Sequence, residues 1–330
     1  LYGGGVEMFV QPIVNLTDGA LLKVEALARL RAPDGTTLVP GQFLPALGET
    51  DLDALFRQGL MQGLGHVRRW RDEKLDINLS INLAPSSLVH PDCAYWIEGA
   101  LREAQVAPQH LTLELLESQA LDASAVDQAL TRLASAGVKI ALDDFGVGFS
   151  NLKRLAELPF DVIKIDQNLV KDLTHDPIKA LSLIRTAVQI GHDLGRDVVA
   201  EGLEDAGIIE AACQLGCRLG QGYGLARPMP AAALADWIRI QPFRGSAGGG
   251  LRSWIGALAY QWMMMHDTLG VRLPGEISSC SITEFLEAQE IHDRQVLQWH
   301  WQIHEDPVEA VRLQAMRQLM QWMVDKIRAT

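Results

Sequence analysis

Glu25, Asn82, Glu114, the doublet Asp143-Asp144, Lys164 with Asp166, and Glu201 each close a short apolar run, as in Val24-Glu25-Ala26-Leu27-Ala28-Arg29 and Val198-Val199-Ala200-Glu201-Gly202. A carboxylate set among Val, Ile and Leu is costly to bury unless something pairs with it. One such residue would read as a salt bridge to a core. A series of them, at the C-terminal ends of successive strand-like runs, is the pattern of a barrel whose active site occupies one face. Acids and an Asn around a single Lys make an oxygen-rich donor set, which suits hard divalent cations such as Mg²⁺ and Mn²⁺. The chemistry to expect is that of a metal-dependent enzyme.

The elements that must position these groups are legible as alternating patterns. Apolar runs at 8–14, 21–30, 75–83, 111–116, 138–142, 162–165, 198–200 and near 218–223 predict strands. Helical periodicity over 52–70, 95–104, 123–136, 178–194 and 208–215 fills most of the gaps between them. Strand–helix alternation repeated about eight times indicates an α/β fold of the (β/α)8 barrel type rather than an open doubly wound sheet. The first two runs are joined only by Asn15-Leu16-Thr17-Asp18-Gly19-Ala20, a loop too short for a parallel crossover, with Asp18-Gly19 as a hairpin signal. The first strand should therefore run antiparallel to the second. The barrel is assigned to 1–243, followed by a Gly-rich flexible linker at 244–250 and a small all-α domain at 251–330. That tail, rich in Trp and Met, reads as two long helices, 254–265 and 308–327, flanking 282–303.

The chain has 330 residues, enough for one large domain and a small one, and its 48% hydrophobic and 21% charged content is ordinary for a globular protein. A net charge of -12 argues against a surface for nucleic-acid polymers or anionic membranes. Metal ions with a local Arg or Lys can still reverse the sign at a phosphate site. Cys93, Cys213, Cys217 and Cys280 show no disulfide framework, and there is neither a bilayer-spanning run nor a signal peptide, so the chain reads as cytoplasmic. Cys213 and Cys217, at i and i+4, are expected to pack within the barrel. The abrupt start at Leu1-Tyr2-Gly3-Gly4-Gly5 suggests a fragment, with sensory or membrane-tethering segments upstream.

Taken in order, Glu25-Ala26-Leu27-Ala28-Arg29, Asn82, Glu114-Leu115-Leu116-Glu117, Asp143-Asp144-Phe145-Gly146, Lys164-Ile165-Asp166, Ala200-Glu201-Gly202 and Gln221-Gly222-Tyr223 resemble the motif series of EAL-domain cyclic di-GMP phosphodiesterases, over roughly residues 6–240. The resemblance implies a modified TIM-like barrel, in agreement with the antiparallel first strand. It implies a hydrolase of bacterial signal transduction that opens cyclic di-GMP to linear pGpG. One metal ion, Mg²⁺ or Mn²⁺, would be held by Glu25, Asn82, Glu114 and Asp143, and a second by Asp143 with Asp144 and Glu201. Lys164 would sit beside the attacking water, with Gln221 helping to position it. Glu117 would tie down the loop that supports the metals. Arg29 would grip a phosphate, and Gln11 and Leu27 would face the substrate.

The chemistry is coherent on its own terms. Two cations can acidify a bridging water, orient it in line and stabilise the charge of the transition state. Arg29 matches a phosphate bidentately, as Lys would not. Lys164 beside two cations should have a depressed pKa and serve either in proton transfer or as an electrostatic stabiliser. Plainer uses stand against these: Lys164–Asp166 as a structural salt bridge, Glu25–Arg29 as an ion pair, Gln221-Gly222-Tyr223 as only a turn. Leu116 replaces a usual Thr, and Val147 and Phe149 replace a usual Thr and Tyr. The metal ligands are complete, so turnover is expected. The alternatives are a catalytically weak effector that binds cyclic di-GMP and a dimerisation scaffold.

Further along, Cys280-Ser281-Ile282-Thr283-Glu284-Phe285 and His300-Trp301-Gln302-Ile303-His304 resemble the Cys and His-x-x-x-His parts of chemoreceptor zinc-binding (CZB) domains. Arg252 stands where that family has a His ahead of the aromatic residue matched by Trp254. His300 and His304 share a helical face and could hold Zn²⁺ with Cys280, and His266 or His292 could add a fourth ligand. Trp254, Trp262, Met263, Trp299 and Trp301 offer an apolar surface for self-association. The EAL resemblance implies pairing through a face near 143–150. A homodimer is therefore expected, with the Gly-rich linker letting the tail report on barrel pairing.

Overall fold

The computed structural model of the chain describes residues 5–116, 124–146, 152–240, 243, 245, 250–266 and 276–329, with the side chains of 152–154 left aside. Its strands are β1 (Val6–Asn15), β2 (Leu21–Arg31), β3 (Thr37–Leu38), β4 (Asn78–Asn82), β5 (Leu111–Leu116), β6 (Lys139–Phe145), β7 (Val162–Ile165), β8 (Asp197–Ala200), β9 (Leu219–Gly220) and β10 (Met229–Pro230). Eight of them close a barrel in the order β1-β9-β8-β7-β6-β5-β4-β2, with β2 returning to β1. The two-residue strands β3 and β10, too short to carry a periodic signal, extend its edges. As the loop length requires, β1 is antiparallel to both β2 and β9, and the remaining barrel pairs are parallel. Gly19, at φ +77°, makes the turn and donates its N–H to the Asn15 carbonyl.

Around the barrel run α1 (Glu49–Asp72), α2 (Cys93–Ala104), α3 (Ser124–Ser135), α4 (Leu152–Glu157), α5 (Gln167–His175), α6 (Pro177–Asp193), α7 (Ala206–Gln214) and α8 (Leu234–Ile240). Helix α5 was not expected from the pattern of the chain. It is short, and it starts because the Asp166 carboxylate accepts the Asn168 N–H at 2.9 Å. The outer faces of the strands and the helices share one apolar core. Inside the barrel, Ile13, Ala141, Val162, Val199 and Leu219 form a separate cluster. Each lies two residues from a polar group of the series, namely Gln11, Asp143, Lys164, Glu201 and Gln221. Period two puts both sets on the same face, so the apolar cluster floors the polar one.

The tail departs from the expectation of two long helices. Its described residues hold four: α9 (Trp254–His266), α10 (Ser281–Ala288), α11 (Arg294–Glu305) and α12 (Glu309–Ala329). Helix α11 begins where the Asp293 carboxylate accepts the Gln295 N–H at 2.8 Å. The tail packs on the barrel. Leu251 is buried, α9 packs on α7, and the outer core of the barrel is continuous with Leu258, Phe285, Leu319 and Met323. Trp254 meets Phe285 and Trp322 edge-on, with ring centroids at 4.9 and 5.3 Å, and Trp262 is buried. These two aromatics are core, which leaves Trp301, 52% exposed, as the open part of the expected aromatic face. Cys217 is buried as expected, and burial pushes its thiol up to about 12. No helix among the described residues is long and apolar enough to cross a membrane.

Candidate functional site

Strand β7 carries Lys164 into the barrel, where it is 2% exposed and ringed by acids from four other positions. Its Nζ lies 2.6 Å from Glu201 Oε1, 2.8 Å from Glu114 Oε2, 3.2 Å from Asp143 Oδ1 and 3.6 Å from Glu25 Oε2. Neutral side chains fix the acids from the far side. Asn82 Nδ2 donates to Glu25 Oε1 at 2.8 Å, and Gln221 Nε2 donates to Glu25 Oε2 at 2.7 Å and to Gln11 Oε1 at 3.0 Å. Gln11 is itself anchored by donating to the Ala226 carbonyl at 3.0 Å, and the Ser80 hydroxyl donates to Glu114 Oε1.

Asp143 and Asp144 are consecutive strand residues, which ordinarily face opposite sides. Here the β6–β7 register slips between Leu142 and Phe145, and Asp144 takes φ +58°. That bulge, strained for a residue with a Cβ, brings the second carboxylate round to the first. Ligand oxygens of Asp143, Asp144 and Glu201 thus lie within 4.8 Å of one another.

The electrostatics follow from four acids around one ammonium, with Asp144 close beside them. Burial, with Asp143 and Glu25 adding to it against Lys164, pushes Glu201 up to about 8. Burial and then the neighbouring Asp143 and Asp166 push Asp144 up to about 6. Glu114 and Asp143 are raised for the same reason, burial first. Burial would raise Glu25 too, but Lys164, Gln221 and Asn82 together outweigh it and lower its pKa. For Lys164, burial favours the neutral amine, yet the surrounding carboxylates outweigh it and hold the pKa well above the usual lysine range. That rise is the field of the carboxylates alone, whereas the depression expected for Lys164 belongs to a site holding two cations. One lysine cannot neutralise five crowded oxygen acids. Hard dications would, so the donor set fits Mg²⁺ or Mn²⁺.

Above the cluster opens a cavity of about 360 Å³ lined by Gln11, Glu25, Asn82, Asp143, Lys164, Glu201 and Gln221, with Gln167, Lys171, Glu204 and Tyr223 at its mouth. A larger cavity, about 500 Å³, lies by Asp18, Lys74 and Trp237 at the opposite end of the barrel, so size alone does not pick the site. Arg29 and Leu27, further along β2, stand outside this lining. The Arg29 guanidinium lies over the Phe9 ring at 5.2 Å, and its Nη1 donates to the Ala28 carbonyl at 2.9 Å. Asp166 caps α5 instead of pairing with Lys164. Glu117, Val147 and Phe149 lie outside the described residues. Sequence reasoning missed Ser80, although a serine two residues before Asn82 in an apolar strand shares the inward face. It also missed the Lys171–Glu204 pair, 3.1 Å apart, for which no local signal existed.

The profile of the EAL domain family matches residues 1–228. The chain belongs to the EAL domain family. This EAL domain is similar to the cyclic di-GMP phosphodiesterase RocR of Pseudomonas aeruginosa, 36% identical over 239 residues (72% of this chain, 61% of RocR). It is also similar to the bifunctional diguanylate cyclase/cyclic di-GMP phosphodiesterase MucR of the same organism, 36% identical over 227 residues (68% of this chain, 33% of MucR). The chain thus spans less than two thirds of the length of either relative. A solved structure of the PaMucR phosphodiesterase in complex with c-di-GMP superposes on the EAL domain with a TM-score of 0.68 at 35% identity, covering 71% of this chain and 95% of that one.

Beyond the EAL domain, the tail brings Cys280, His300 and His304 together, their ligand atoms within 4.8 Å of one another. His300 is 4% exposed, and its Nε2 has no hydrogen-bond partner. Burial and then His304 push it down to about 4, so it is a neutral imidazole ready to ligate. Neither candidate fourth ligand joins them. His266 stacks on Trp262 and donates from Nδ1 to the Trp262 carbonyl at 2.9 Å, and His292 is exposed.

Proposed function

We propose that the EAL domain hydrolyses one phosphodiester bond of cyclic di-GMP to linear pGpG with two divalent cations, Mg²⁺ or Mn²⁺. What carries the reading is the convergence of Glu25, Glu114, Asp143 and Glu201 on Lys164 at one end of the barrel, with Asn82 bound to Glu25. The chain's relatives RocR and MucR are named cyclic di-GMP phosphodiesterases, which supports it. Glu25, Asn82, Glu114 and Asp143 would hold one cation, and Asp143, Asp144 and Glu201 the other. When bound, the cations supply an acidified water and charge stabilisation at the phosphate. The chain's own groups set the geometry. Gln221 is held through Nε2, which leaves its buried Oε1 without a partner and able to accept a hydrogen bond from the attacking water. Lys164 supplies a fixed positive charge beside the reacting phosphate, and Arg29, on leaving the Phe9 ring, would bind a phosphate bidentately.

Incubation with cyclic di-GMP and chromatography of the products tests this. Mg²⁺ or Mn²⁺ should support formation of pGpG, and Ca²⁺, with its larger and looser coordination, should inhibit. Turnover without a cation would overturn the mechanism, and tight binding without turnover would replace the enzyme by an effector.

A second proposal concerns the tail. Residues 251–330 form a CZB-like regulatory domain after a linker at 244–250, with Zn²⁺ held by Cys280, His300 and His304. The unpartnered, buried Nε2 of His300 supports it. Metal analysis after dialysis should find zinc in the intact chain and none in Cys280→Ala. Pairing of two copies through the barrel face near 143–150 belongs to the same reading, and sedimentation would check it.

A further inference from the structure

We infer that Glu210 is a positioning residue: by clamping the two residues that lead into α9 it locks the C-terminal helices to α7, and through α7 it sets the loop that carries Glu201. Glu210 Oε1 accepts the Arg252 N–H at 2.7 Å, and Oε2 accepts the Ser253 N–H at 2.8 Å and the Ser253 hydroxyl. Ser253 Oγ in turn accepts the Gly256 N–H at 3.0 Å. The start of a helix exposes N–H donors and a partial positive charge. At α9 the Glu210 carboxylate, from a helix of the barrel, takes the N–H groups of the two residues just before the first turn and holds Ser253, whose Oγ caps the Gly256 N–H.

The two helices are shaped for this approach. A Cβ on Gly256 would lie 2.4 Å from Glu210 Cδ and Oε2, and one on Gly207 would lie 3.3 Å from Ile255 Cγ2 and Ser253 Cβ. Each helix puts a glycine where the other presses, so the contact is built from both sides.

From α7 to the site there is little slack. Asp205 caps α7 by accepting the Ile208 N–H at 2.9 Å. Between it and Glu201, Leu203 is fully buried, donates its N–H to the Gln221 carbonyl at 3.1 Å and accepts the Gly224 N–H at 2.8 Å. A Cβ on Gly222 would lie 2.3 Å from both Leu203 N and Leu203 O. A displaced α7 must therefore move this loop, and with it Glu201. Helix α12 also leans on α5, the helix that follows Lys164. The tail thus braces the two helices directly behind Lys164 and Glu201.

The test uses the full chain with Glu210→Ala, Glu210→Gln and Gly256→Ala, circular dichroism confirming that each is folded. Ser253→Ala, which removes one hydroxyl, stands in should Glu210→Ala unfold. Amide hydrogen exchange is read in cation-free protein over 254–266 and 198–205, and Mn²⁺ binding is read directly by paramagnetic resonance without substrate. Glu210→Ala should speed exchange about tenfold in both segments and weaken Mn²⁺ binding about three- to tenfold. Gly256→Ala should act in the same direction but add nothing to Glu210→Ala, since the clash it makes is with Glu210. Glu210→Gln, which keeps an acceptor, should fall in between. Faster exchange confined to 254–266, with 198–205 and Mn²⁺ binding unchanged, would make the tail a passive passenger. No change in 254–266 would show that the clamp holds nothing. The inference rests on the metal-site reading above, but these readouts need no cyclic di-GMP. Absence of turnover sinks the proposed reaction alone, and the outcomes just named sink this inference alone.

Discussion

Lys164 keeps its place because, without it, three buried acids and the half-buried Glu201 would face one another with no positive charge between them. Its role can be separated from that of the acids. Glu25→Ala and Asp143→Ala should each cost on the order of 10³-fold or more in turnover, since each removes a donor from a shared cluster. Lys164→Ala should abolish turnover too, but it should also lower the melting temperature of the cation-free protein, and Mn²⁺ should restore it. Thermal unfolding with and without Mn²⁺ distinguishes the two, and an unchanged melting temperature in Lys164→Ala would deny the lysine its structural share. Titration gives a second handle at this scale. With Asp144 up to about 6 and Glu201 up to about 8, both proposed ligands carry protons at acidic pH and lose them as pH rises. A cation binds the deprotonated forms. Mn²⁺ affinity, measured without substrate, should therefore climb between pH 6 and 8, and Glu201→Gln should flatten the upper part of the climb.

At the scale of elements, glycines report how closely backbones meet. Gly222 turns the chain after β9 against the backbone of Leu203, where a methyl group has no room. Gly222→Ala should cost about 2 kcal/mol or more, seen as a lower midpoint in urea, and should weaken Mn²⁺ binding by displacing Glu201. Gly99, inside α2 with nothing within 4 Å of a built Cβ, is the opposite case. Gly99→Ala should stabilise the protein by about 0.5–1 kcal/mol and leave Mn²⁺ binding alone. If both substitutions moved the midpoint in the same direction, close approach would not be what holds the loop.

For the whole molecule, one apolar core runs from the outer layer of the barrel into the tail. The intact chain should unfold in a single cooperative transition, with calorimetric and van't Hoff enthalpies in agreement. Removing everything after Ile240 uncovers the α7 face under α9 and removes the Glu210 clamp. The shortened chain should melt at a lower temperature and bind Mn²⁺ more weakly. Two separate transitions in the intact chain would show that tail and barrel are independent after all.

The sequence by itself determined which residues meet in the site. Polar groups stand two residues from Ile13, Ala141, Val162, Val199 and Leu219, so Gln11, Asp143, Lys164, Glu201 and Gln221 share a face once the strands close. Glu25 and Glu114 follow Lys23 and Thr112 instead of an apolar residue. A six-residue loop with Asp18-Gly19 likewise left β1 no choice but to run antiparallel. Tertiary structure decided what depends on more than one segment. Period two would send Asp144 away from Asp143, and only the slip between β6 and β7 turns it back. The pKa of Lys164 is a sum over acids from separate segments, which no local pattern encodes. Whether Trp254 and Trp262 are core or surface depended on where α10 and α12 came to rest. The Glu210–Ser253 contact joins segments 43 residues apart through two glycines that carry no periodic signal. Local pattern records which face a side chain takes, but contacts between distant segments exist only after the chain has closed on itself.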